Sequence, residues 1–202
     1  MTKRPKVLLF DLGGVIVRWV GLEELARMTG QSRDAVVMRF AGSDVFQDYE
    51  TGQCSDDVFA AELVSLFDLE FPLSEAKALW NSWVQESYDG TKDMLKDLRK
   101  DYTLACLSNT NALHWGHLPT HIRVEEFFDH SFASHLIEAA KPDLKSYNIL
   151  IQEMKVAPAD IWFFDDTLIN VEAAIQAGMV AHHVDREVGV IPTLKRLGFL
   201  QG

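Results

Sequence analysis

Three aspartates stand where short apolar runs break off into polar residues. Asp11 follows Val7-Leu-Leu-Phe10, and Asp165-Asp166 follow Ile161-Trp-Phe-Phe164. A third apolar run, Tyr102-Thr-Leu-Ala-Cys-Leu107, ends in Ser108-Asn109-Thr110-Asn111. As strands of one parallel sheet, these runs would bring their C-terminal ends to a common edge, where distant residues converge. Carboxylates gathered there without compensation repel one another, and their pKa values rise. A hard divalent cation such as Mg²⁺ relieves the repulsion, binding through one or two carboxylates together with waters and a substrate phosphate. A single aspartate in such a place more often caps a helix or turn; capping explains the two sites together poorly.

Ser108-Asn109-Thr110-Asn111 reads as a turn into a helix. A hydroxyl, amides and free backbone N–H groups suit an anion there. A plain N-cap accounts for the same residues about equally well. Lys141 precedes Pro142, just before the start of a helical pattern, where the helix dipole disfavours a cation. An anion nearby, a phosphate or the Asp11 carboxylate, would resolve that conflict; a solvated surface lysine is the plainer alternative.

The elements that must position these residues alternate. Strand-like runs at Val7–Phe10, 102–107, His130–Ala133, 161–164 and 180–184 include near-continuous apolar stretches, as expected for strands buried on both faces. Helical spacing separates most of them, over 91–100, 142–155 with Pro142 in its first turn, and 170–177 with Gly178 as its stop. The alternation predicts an α/β fold, a Rossmann-like open parallel sheet with helices on both faces. Residues 20–87 break the alternation. They show no convincing strand and read as helices at 22–28, 33–40, 56–67 and 75–87, with Ser32, Ser55 and Ser74 as N-caps. A crossover needs only about a dozen residues, so this stretch reads as an inserted helical cap over the site. Extra helices packed on the sheet edge are the alternative. The expected division is a discontinuous core, 1–19 and 88–202, and a cap, 20–87.

The chain has 202 residues and a net charge of −11, which disfavours nucleic acid but leaves room for a small phosphorylated substrate beside a cation. No apolar run approaches the roughly 20 residues of a membrane span. The basic start, Met1-Thr-Lys-Arg-Pro-Lys, leads into too short an apolar stretch for a signal peptide, so a cytoplasmic protein is expected. Cys54 and Cys106 are far apart and read as free thiols, Cys106 within a core strand.

Taken together, these residues resemble the haloacid dehalogenase superfamily of phosphohydrolases. Asp11-Leu-Gly-Gly-Val matches its nucleophile motif, Leu107-Ser-Asn-Thr the second and Lys141-Pro the third. Asp165-Asp166 with Asn170-Val-Glu-Ala-Ala-Ile-Gln-Ala-Gly178 matches the acidic fourth. Order and spacing agree over essentially the whole chain. Glu50-Thr-Gly-Gln-Cys-Ser-Asp-Asp-Val-Phe59 resembles cap sequence from the branch that contains bacterial α-D-glucose-1-phosphate phosphatase. The resemblance implies that Asp11 attacks phosphorus to form an aspartyl-phosphate. It implies Mg²⁺ ligands in Asp11, Asp166 and the Gly13 carbonyl, with Asp165 ligating or orienting a bound water. It implies phosphate contacts from Ser108, Asn109 and the Gly13-Gly14 loop, with charge balance from Lys141. The implied substrate is a small phosphorylated metabolite, sugar phosphates such as glucose 1-phosphate leading, and the implied state is a monomer or homodimer.

One position departs from the pattern. Most phosphatases of this superfamily carry a second Asp two residues after the nucleophile, as acid and base for the leaving oxygen. Here that position is Gly13, and a general acid typically contributes ~10²–10⁴-fold. Three explanations compete: a leaving group that departs unaided, as from an anomeric phosphate; a water or cap residue in place of the carboxylate; or a reaction that is not phosphoryl transfer. A dehalogenase tolerates the gap and needs no metal, but usually carries an aromatic residue there. A non-catalytic ligand-binding descendant fits poorly with retention of Asp11, Lys141 and Asp165-Asp166. Other features read as structural. Trp80 and Trp83 are expected to pack the cap, and His114, His117 and His121 to be surface or supporting residues rather than a zinc site. His182 and His183 should face opposite sides of a strand. Arg18 is a substrate contact, a residue that closes the cap, or a solvated arginine.

Overall fold

The computed structural model describes residues 4–120 and 122–200, without the side chains of Pro119 and Glu125. His121 and the first three residues of the basic start lie outside the described residues. In chain order the first strands and helices are β1 (Val7–Phe10), β2 (Val17–Trp19), α1 (Gly21–Thr29), α2 (Arg33–Ala41), α3 (Asp44–Glu50), α4 (Asp56–Leu66), α5 (Leu73–Ser82) and β3 (Val84–Ser87). There follow α6 (Thr91–Leu98), β4 (Thr103–Ser108), α7 (Ala112–His117), α8 (Val124–Phe127), β5 (His130–Ala133) and α9 (Ser134–Ile137). The chain ends in α10 (Leu144–Met154), β6 (Ile161–Asp165), α11 (Leu168–Gln176), β7 (Val180–His183) and α12 (Ile191–Arg196).

Five strands form a wholly parallel sheet in the order β5-β4-β1-β6-β7, with β1 at its centre. All four β1 residues are buried, because the pleat sends alternate side chains into two separate cores. Leu8 and Phe10 join Leu104, Cys106 and Phe164 on one face, under Leu95 and Leu98 of α6 and Leu194 of α12. Val7 and Leu9 join Ala105, Leu107 and Phe163 on the other, under Tyr147 and Leu150 of α10 and Ala174 of α11. The expected open sheet with helices on both faces is therefore what the chain builds.

Helices α1 to α5 surround a third core of Leu25, Val36, Phe40, Tyr49, Phe59, Leu63, Phe67, Trp80 and Trp83, so both tryptophans pack as expected. Ser32 and Ser55 accept hydrogen bonds from Ala35 N and Val58 N, as N-caps do.

Four expectations need correction. Ser74 does not cap α5; Pro72 holds that place in an extended conformation, and its carbonyl accepts from Glu75 and Ala76. Residues 84–87 are not helix but β3, an antiparallel partner of β2. Helix α3 was absent from the expected set. Pro142 is not in the first turn of α10: the Lys141–Pro142 peptide is cis, and α10 opens at Leu144 with Asp143 as its cap. Both cysteines are free, Cys106 buried and Cys54 half-buried. Among the described residues no helix is long and apolar enough to cross a membrane.

Candidate active site

Asp11 lies one residue beyond β1, and its N–H donates to Phe164 O across the sheet at 2.9 Å. The chain then coils tightly, with the N–H groups of Ile16 and Val17 both returning to Leu12 O. Gly14 sits in this coil at φ 76°, and a Cβ there would run into the Asp166 carboxylate. Only glycine meets both demands. Gly13 differs: a Cβ there would meet nothing closer than Trp19 Cβ at 3.5 Å, an ordinary contact.

Asp11, Asp165 and Asp166 offer oxygens that all lie within 4.8 Å of one another. Lys141 is almost wholly buried between two of them, its Nζ 3.0 Å from Asp11 Oδ1 and 2.6 Å from Asp165 Oδ2. The expected meeting of Lys141 with the Asp11 carboxylate is present. Its cause is not a helix start but Asn109, whose side chain grips the Lys141 backbone from both sides. Asn109 Nδ2 donates to Lys141 O and Oδ1 accepts from Lys141 N, each at 2.8 Å. The carboxamide of Asn109 is thus engaged in holding the lysine.

The aspartates differ in their surroundings. Asp165 is fully buried and saturated, accepting from Lys141, from Thr167 N at 2.8 Å and from Asn170 Nδ2 at 3.2 Å. Asp166 faces Arg186, whose Nε is 3.8 Å from its Oδ2. Burial pushes the Asp11 carboxyl up to about 7; Asp165 and Asp166 push the same way, and Lys141 opposes them. Burial and then Asp165 raise Asp166 as well, against Arg186 and Lys141. Burial alone would lower the Lys141 ammonium, but Asp11 and Asp165 raise it. One ammonium and one guanidinium facing three clustered carboxylates still leave negative charge in excess. The all-oxygen donor set therefore fits a hard divalent cation such as Mg²⁺.

Above these residues lies a cavity of about 380 Å³. The sheet edge supplies Asp11, Gly13, Ser108, Asn109, Lys141 and Asp166, while Trp19, Leu22, Phe46 and Trp80 form much of the opposite wall. His114 lies at the junction, its ring stacked on Trp80 at 4.6 Å and its Nε2 2.9 Å from Trp80 O. It is buried rather than superficial, and burial lowers its pKa to about 4. Among the described residues the aspartate trio is the one metal-competent group, and no histidine takes part. His182 stacks on Phe164 while His183 is exposed, as alternation requires. Arg18 lies over the Tyr88 ring at 4.5 Å and does not line the cavity.

Three charged cavity residues, Arg33, Glu50 and Arg186, escaped sequence reasoning. Arg186 follows β7, so the strand-end rule that found Asp11 could have found it. Glu50 closes α3, a helix whose pattern gave no signal.

The fold and this site define a hydrolase: the chain belongs to the haloacid dehalogenase-like hydrolase family, whose model matches residues 5–178. It is 26% identical to a D-ribitol-5-phosphate phosphatase of Bacteroides thetaiotaomicron over 86% of this chain and 88% of that one. A HAD family enzyme of Bacteroides thetaiotaomicron, solved in complex with magnesium and inorganic phosphate, shares the fold. The TM-score is 0.74 at 24% identity, over 89% of this chain and 93% of that one. A predicted HAD-like family hydrolase from Porphyromonas gingivalis superposes with a TM-score of 0.76 at 25% identity, over 98% and 100% of the two chains.

Proposed function

We propose that this chain is a Mg²⁺-dependent phosphatase of small phosphorylated metabolites, with sugar phosphates, glucose 1-phosphate among them, as the leading class. One observation carries the reading: Asp11 is within 3.0 Å of a buried lysine and beside two further carboxylates, at the floor of a cavity. The magnesium and phosphate bound by the Bacteroides enzyme of the same fold support it, as does the phosphatase named among the relatives.

In this reading Asp11 attacks phosphorus and becomes an aspartyl-phosphate, and water then releases phosphate. Lys141 holds the attacking carboxylate in place and balances charge on the phosphoryl oxygens. The Ser108 hydroxyl and the backbone of Asn109, Gly13 and Gly14 receive those oxygens. Asp11, Asp166 and the Gly13 carbonyl would hold Mg²⁺, with Asp165, held by Lys141, Thr167 and Asn170, beside them. The bound cation supplies charge neutralisation to the transferring phosphoryl group. Residues 20–87 act as a cap over a core of 1–19 and 88–202; the aromatic wall that they supply to the cavity supports this.

The test is phosphate release from a panel of sugar and sugar-alcohol phosphates with and without Mg²⁺, beside chloride release from 2-chloropropionate. Mg²⁺-dependent phosphate release is expected. Halide release that ignores Mg²⁺ would overturn the reading.

A further inference from the structure

The phosphatase reading leaves one step without a group to perform it. When Asp11 attacks phosphorus, the bond to the leaving oxygen breaks, and that oxygen needs a proton unless the departing anion is stable. Gly13 cannot supply it. The groups lining the cavity can be sorted by whether they could. Arg33 and Arg186 do not release protons near neutral pH. Lys141 is locked between two carboxylates. Asp11 and Asp166 belong to the nucleophile and the cation site. His114 is buried, with its Nε2 bonded to Trp80 O, and a ring whose pKa is lowered to about 4 carries no spare proton at neutral pH.

Glu50 remains. It is the last residue of α3 and lines the same cavity as Asp11, Ser108 and Lys141. Its position is pinned from both sides. Tyr49 stacks on Phe59 at 4.1 Å and donates to Asp56 at 2.7 Å. On the other side, Gly52 adopts φ 74° and presses its Cα onto the His135 carbonyl of α9, so closely that a Cβ would collide with it. Helix α9 is in turn bonded to the anion loop, Ser134 Oγ accepting from Thr110 N at 2.9 Å. A cap helix is thereby docked against the core beside the reacting groups. Burial pushes the Glu50 carboxyl up to about 7, and Lys141 is the one charge that opposes the shift. A carboxyl poised near neutrality suits proton transfer in both directions.

We infer that Glu50 is a catalytic residue of this site, the cap-borne acid that protonates the leaving oxygen in place of the missing Asp at Gly13. The inference rests on the phosphatase reading. As Asp11 Oδ bonds to phosphorus and the phosphorus–oxygen ester bond breaks, the Glu50 proton passes to the leaving oxygen. This yields an alcohol and the Glu50 carboxylate. That carboxylate then takes a proton from the water that attacks the aspartyl-phosphate, which restores the Glu50 acid and frees Asp11 and phosphate.

The experiment compares kcat/KM for para-substituted phenyl phosphates, from methoxy to nitro, in the wild type and in Glu50→Gln with saturating Mg²⁺. A nitrophenolate departs without a proton and a methoxyphenolate does so poorly. Glu50→Gln should therefore lose on the order of 10²-fold on the methoxy substrate and only a few-fold on the nitro one. Glu50→Asp should recover part of the methoxy loss. Ratios between substrates within one preparation do not depend on the folded fraction. A uniform loss across the series, or none, would overturn the role of Glu50 while leaving the phosphatase reading intact. Failure of the wild type to release phosphate from any of the series would overturn both.

Discussion

The floor and the roof of the cavity are built on opposite principles. On the floor, Asp11, Asp165, Asp166 and Lys141 are ionisable groups taken out of water, Asp11 held by Leu12 N and Asp165 by Thr167 N, Asn170 and Lys141. Such groups cost free energy to bury and are arranged for chemistry rather than for stability. In the roof, Trp80 packs against Trp19, Phe40, Phe46, Phe59, Trp83 and the His114 ring, with centroids 4.6 to 6.4 Å apart. Those contacts stabilise and shape, but move no electrons. Glu50 apart, activity and stability should therefore separate by region.

The sharpest separation is expected from Asp11→Asn, which should lower kcat/KM by at least about 10⁴-fold. It also removes a carboxylate that burial already disfavours, so a thermal melt should show no loss of stability. A matching fall in melting temperature would erase the contrast. From the roof, Trp80→Ala should cost about 3–5 kcal/mol of stability in urea unfolding, the usual penalty for emptying a large aromatic site. Phosphate release by the fraction that stays folded should change far less than for Asp11→Asn.

His114 ties roof to floor through a pH window. Its folded pKa, about 4, lies below the roughly 6.5 of an unfolded histidine. The unfolded chain therefore binds more protons between those values, and stability rises with pH across them. The contribution is whole above about pH 6.5, and about 3 kcal/mol of it is lost as pH falls towards 4. Urea midpoints for the wild type minus those for His114→Gln across this range isolate it; a flat difference would contradict the burial argument. Gly13→Asp should change stability by no more than about 1 kcal/mol, because the space beside Trp19 Cβ is ordinary. In a Glu50→Gln background it should return about tenfold or more of the lost kcat/KM on poor leaving groups.

The floor was far more legible in the sequence than the roof, for a physical reason. A parallel strand buried on both faces must be apolar throughout, so a carboxylate straight after Phe10 or Phe164 marks the strand end and the site together. Order along the chain then carries Lys141 with them. The roof follows weaker rules. Helix α3 is short and begins Asp44-Val-Phe-Gln-Asp, with no sustained apolar stripe, so Glu50 had no helix to be placed on. Strand β3 is Val84-Gln-Glu-Ser, in which only Val84 is buried, and its partner is the equally short β2. The burial of His114 arises from α5 meeting α7, a contact between distant segments that local pattern does not encode. Lys141-Pro142 has the local pattern of a helix entrance, but the turn there is held by Asn109, far back in the chain.

That grip makes the site depend on the chemical identity of one amide. Asn109 presents to Lys141 one donor and one acceptor, the pair that a neighbouring peptide group would offer. Asparagine is among the thermolabile residues, and its hydrolysis to aspartate changes the side chain by a single group. The carboxylate so formed would keep the acceptor for Lys141 N but set a second oxygen against Lys141 O, turning attraction into repulsion. The strand core would be untouched, and a melt would barely register the change. The lysine that steadies the Asp11 carboxylate would lose its mooring, so exchanging one amide for an acid would silence the site while the fold endured.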